Sequence, residues 1–162
     1  MDESDPYRPD ETALDCIRKS GRLLIQLAPC GEAATDPLIA TQRMSGWRER
    51  FGTPHHALCA STQAALLVPP GLRSIAKVFP DELCSESRLA ERVLERFRWL
   101  TDQLRDESHP VFTLIIAEYT WLTVLVDWLT SPHALLDFVA TSPRAYDLFE
   151  LTDERRFRPV TT

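Results

Sequence analysis

Apolar side chains along this chain recur mostly three and four positions apart, the spacing that places residues on one face of an α-helix. The longest such run covers residues 110–130 and reads VFTLIIAEYTWLTVLVDWLT from Val111 to Thr130, with no internal Gly, Pro or Asn. Its β-branched content favours a strand, but apolar and polar positions do not alternate and strands rarely extend so far. Read as a helix it spans about 30 Å. Thr113, Thr120, Thr123, Asp127 and Thr130 then share one arc of about 100°, as expected when one strip of a central helix reaches water. Glu118 falls on the opposite side, among Val111, Leu114, Leu122, Leu125 and Leu129. A carboxylate buried there needs a partner or a proton. Arg98 and Arg105 are the candidates to pair with it; the alternative is an acid–base or ligand-binding role together with His109.

Other segments carry the same period. Residues 1–11 are acidic and Pro-containing and are expected to be loose. Leu14, Ile17, Leu24 and Leu27 predict a helix from about Thr12, closed by Pro29. Asp36-Pro37 supplies a cap and first turn for a helix with the face Ala40, Met44, Trp47 and Phe51, stopped by Gly52. Thr53-Pro54 starts another, with Leu58, Ser61, Ala65 and Val68 on one side, ending at Pro69-Pro70. Leu72–Phe79 reads as a bridging turn. From Asp81 or Ser85 to Arg105 the seam Ala90, Val93, Phe97, Leu100 and Leu104 predicts an amphipathic helix whose outer faces are laced with charge. Two short copies, TSPHALLDFVA at 130–140 and TSPRAYDLFEL at 141–151, read as a pair of short helices, and 152–162 as a flexible tail. The expected fold is therefore all-α: a compact single-domain helical bundle, ordered over 12–151, of about five to seven helices around a central apolar helix at 110–130. An α+β fold requires Ala64–Val68 or part of the central run to be strand.

Charge and cysteine content narrow the function. The chain carries a net charge of −6 without a basic stripe, which disfavours nucleic acid and anionic membrane as partners. Glu118, Asp127 and the threonines beside them argue against a membrane span at 110–130. The cysteines at 16, 30, 59 and 84 form no CxxC pair, and the acidic N-terminus has no signal-peptide pattern, so a cytoplasmic protein with free thiols is expected. Gly-rich phosphate loops and the common hydrolase and zinc-protease motifs are missing. His55, His56 and Cys59 form an H-H-x-x-C cluster, a candidate for metal only if further ligands join it. No cofactor is expected.

Trp99, beside Arg98 and Phe97, is the candidate contact surface for a partner. Taken together these features predict a non-enzymatic protein-protein interaction module, an inhibitor, immunity, adaptor or chaperone-like factor, acting alone or as a homodimer. The competing expectation is a small enzyme or ligand-binding domain using buried Glu118 with a nearby His or Arg.

Overall fold

The computed structural model describes residues 9–30, 45–80, 88–129, 148–152 and 157–160. In chain order these form helix α1 (Pro9–Ser20), strand β1 (Leu23–Cys30), helix α2 (45–51), strand β2 (His56–Cys59) and the single turn α3 (Thr62–Ala65). A 3-10 turn at Pro70–Leu72, strand β3 (Ala76–Val78), helix α4 (Leu89–Leu104), strand β4 (Val111–Glu118), helix α5 (Tyr119–Leu129) and strands β5 (Leu148–Leu151) and β6 (Phe157–Pro159) follow. The strands make one mixed sheet in the order β3-β2-β4-β1-β5-β6. β1 to β4 run parallel, and β5 lies antiparallel to β1 and β6 to β5.

The fold is thus α/β, and the expected all-α bundle around a helix at 110–130 is corrected. That run is two elements, β4 followed directly by α5. β4 pairs with β1 on one side and β2 on the other, and its residues Val111 to Ala117 are all buried. A strand covered on both faces has no polar face with which to alternate, so its sequence is a continuous apolar run. The β-branched Val111, Thr113, Ile115 and Ile116 fit such a strand. Thr113 is buried too, its hydroxyl donating to the Leu24 carbonyl at 3.4 Å.

The same merging hid β1. Leu14 and Ile17 belong to α1, Leu24 and Leu27 to β1, and Gly21 separates them at φ 90, its N–H donating to the Ile17 carbonyl at 2.7 Å. Only glycine takes that left-handed helix stop without strain. Between Thr53 and Val78 the expected helix and bridging turn give way to β2, α3 and β3, although Gly52 does end α2, at φ 85. The amphipathic helix of the second half exists as α4. The starts expected at Asp36 and Asp81 and most of the repeat at 130–147 lie outside the described residues; the end of the second copy is β5, and the expected tail holds β6.

Layers of helix cover both sheet faces. On one, α1, α4 and α5 bury Leu23, Ile25, Leu27, Leu58, Val111 and Ile115 beneath Phe97, Leu100 and Leu122. On the other, α2 and α3 cover Leu24, Ala28, Cys59, Phe112, Leu114 and Ile116. The step from β2 outwards to β3 passes α3 on this second face, whereas the return from β3 to β4 passes α4 on the first. Reversing direction and face together keeps one hand of crossover, as parallel connections require. Among the described residues no helix is long and apolar enough to cross a membrane.

Candidate functional site

At the amino ends of β2 and β4 two adjacent strands begin with histidines. His55 and His56 enter β2 behind the buried Pro54, and Glu107, Ser108 and His109 form the connection from α4 into β4. Pairing of β2 with β4, His56 opposite Thr113, brings the two segments together. Beyond the last paired residues the backbones stay joined: the His55 N–H donates to the Phe112 carbonyl at 2.8 Å, and the Phe112 N–H donates to Nδ1 of His55 at 3.1 Å.

Glu107 is the hub. Its Oε1 lies 2.8 Å from Nε2 of His56 and its Oε2 lies 2.7 Å from Nε2 of His109, so one carboxylate accepts from two imidazoles. His56 and Glu107 are mostly covered, with side chains 16% and 20% exposed, while half of His109 reaches solvent. His109 also leans over His55, ring centroids 4.6 Å apart.

These partners assign the protons. His56 gives its Nε2–H to Glu107, leaving Nδ1 as the lone pair. His109 has two acceptors within reach, Glu107 at Nε2 and the Pro110 carbonyl at Nδ1, 3.0 Å away. His55 accepts at Nδ1 and so carries its proton on Nε2. Partial burial holds the His55 imidazole below its ordinary range, and the neighbouring His109 adds to that effect against the pull of Glu107. The cluster therefore places three imidazoles and one carboxylate within proton-transfer reach on one rim.

An unfolded His55 takes up a proton more readily than the folded one. Its contribution to stability is full above the ordinary value of 6.5 and is lost as pH falls below it towards the folded pKa. In denaturant titrations on either side of that value, His55→Asn should flatten the loss of stability on the acid side; an unaltered slope would contradict this environment.

The remaining sequence candidates fall elsewhere. Glu118 is exposed, at the carboxyl end of β4, in register with Cys30 of β1. The expectation of a buried carboxylate came from placing it on a helix; as the last residue of a strand it stands where the sheet ends. β4 continues to α5 on one face and β1 leads to α2 on the other, so Glu118 sits at a topological switch point, a position where α/β sheets open a crevice. The length of β4, roughly 23 Å, separates it from His109, and Arg105 also lies at the far end.

Cys59 is buried on the sheet face opposite to His56 because strand residues alternate, so H-H-x-x-C does not converge. Among the described residues no three His, Cys, Asp or Glu side chains are placed to hold a metal ion. Phe97 is fully buried, Trp99 packs half-buried against the same core, and Arg98 is half-buried beside them.

Glu107 escaped the sequence reading. Its signal was the run Glu107-Ser108-His109-Pro110 ahead of an apolar segment, which acquires meaning only once that segment is a strand beside β2. Cys16 lies close enough for Glu107 to push its thiol pKa up, after the larger effect of burial; the hydrogen bond with Ser20 opposes both. It stays a protonated thiol, unsuited to nucleophilic attack.

No protein-family model, curated protein or solved structure matches this chain. The functional reading therefore rests on the site.

Proposed function

We propose that this chain is a small α/β ligand-binding domain that carries out acid–base chemistry at the rim formed by His55, His56, Glu107 and His109. The observation that carries the reading is the single carboxylate shared by two imidazoles. Glu107 orients His56 so that Nδ1 presents its lone pair, the arrangement by which a carboxylate prepares a histidine to accept a proton. His109, half exposed at the rim, is the imidazole placed to exchange a proton with a leaving group, and the Nε2–H of His55 is a neutral donor to developing negative charge. Glu118 has no part in this site.

Hydrolysis of a chromogenic carboxylic ester and a chromogenic phosphate diester tests the proposal. Turnover of either, with a bell-shaped pH profile that loses its basic limb in His109→Gln and its acidic limb in His56→Gln, supports it. Turnover unchanged in both folded variants, or no turnover of either ester, removes the acid–base reading.

A second reading, a non-enzymatic module that binds a partner protein, retains one specific support. Leu66, 81% exposed in the turn after α3, and the exposed Ile75 and Val78 at and beside the edge strand β3 present apolar surface to water. The heptad-like seam no longer supports it, because Val93, Phe97, Leu100 and Leu104 form the core. The cytoplasm is the compartment we propose: the buried Cys16 is a free thiol, as a reducing environment maintains it.

A further inference from the structure

A cavity of about 460 Å³ opens beside the start of β1, lined by Ile17, Arg18, Arg22, Glu150, Leu151 and Arg158 among others. We propose that it binds a small oxyanion, a phosphate or a carboxylate, between the guanidinium groups of Arg22 and Arg158. Its volume falls in the range of small-ligand pockets, roughly 300–1,000 Å³.

Among the described residues that line it, the charges do not balance. Glu150 receives the Nε–H of Arg22 on Oε2 and an Nη2–H of Arg158 on Oε1, at 2.8 Å for the latter, so one carboxylate serves two cations. Arg18 is matched separately by Asp15 at 3.0 Å. Partial burial pushes the Glu150 carboxyl up, but the hydrogen bonds from Arg22 and Arg158 outweigh it and hold the group below its ordinary range. Glu150 is thus ionised and occupied at both oxygens, and among the described residues the two arginines carry one positive charge more than it does.

Both guanidiniums also have donors to spare. Each carries five N–H groups and commits one to Glu150, and among the described residues the others have no hydrogen-bond acceptor. Glu150 fixes the two forks in place, with Arg22 further held over the Phe51 ring at 5.4 Å. Preset forks of this kind suit planar carboxylates and phosphate oxygens. The lining is mostly polar, with little apolar surface from Ile17 and Leu151, so the guanidinium forks carry the recognition. The site lies one strand across from His109, since the Val111 N–H donates to the Arg22 carbonyl at 3.0 Å, but the proposal does not depend on the histidine chemistry.

Calorimetric titration with inorganic phosphate and with succinate, at an ionic strength held constant with sodium chloride, tests it. The expected result is saturable binding of at least one probe, the tighter one naming the ligand class, weakened about tenfold or more in Arg158→Gln and in Arg22→Gln. Arg158 is exposed and its replacement leaves the core untouched, so loss of binding in that folded variant reports on the site. Absence of saturable heat with both probes, or equal affinity in both arginine variants, overturns the proposal.

Discussion

Replacing Phe97 by alanine is expected to remove about 3–5 kcal/mol of folding stability, the range for truncating a buried phenyl ring. The side chain is fully buried where α4 faces the sheet, in one cluster with Leu23, Ile25, Val111 and Ile115. It sits between a helix and a strand pair that cannot close over the gap without moving both, so the cavity persists. Domains are stable by only about 5–15 kcal/mol, and the loss therefore shows directly in a urea titration as a lower midpoint with an unchanged slope. A loss below about 1 kcal/mol would mean that Phe97 sits on a surface, as its place beside Trp99 in a candidate partner contact would require.

The second large effect is expected at Glu107. Removing its carboxylate in Glu107→Ala strips the acceptor from His56 and His109 together. Hydrogen bonds to charged groups contribute about 1.5–3 kcal/mol when well covered. Because His109 is half exposed, water replaces part of its loss, and a total of about 2 kcal/mol is expected. A double-mutant cycle with His56→Ala should give a coupling of about 1 kcal/mol, as residues sharing a hydrogen bond do, whereas independent surface residues give none. Additive losses would show that the carboxylate and the imidazole do not touch.

How much of this was legible in the sequence depends on what each residue's neighbours are. The α4 seam was readable because an amphipathic helix writes its buried face at its own period, and Val93, Phe97, Leu100 and Leu104 do line the core. Gly52 was readable as a stop because its backbone conformation is local. β4 was not, because a strand buried on both faces writes no alternation, and with no turn residue between Glu118 and Tyr119 it merges with α5 into one apolar run. The noted condition for an α+β fold, strand within the central run, is the one that is met.

The site followed the same rule. His55, His56 and His109 were each visible as chemistry, but their convergence depends on parallel pairing between segments some fifty positions apart, and no local signal encodes it. Glu107 carried no signal until that pairing was known. Glu118 drew attention for the wrong reason, since its apparent burial came from an assumed helix.

Glu107 and the first residues of β4 fix the proton positions of His56 and His55. Long-range proton–nitrogen NMR of the imidazole rings near neutral pH reads those positions directly. His55 is expected neutral with its proton on Nε2, and His56 with a proton on the Nε2 that faces Glu107. A proton on Nδ1 of His55, or both rings with the averaged signals of free imidazole, would contradict it.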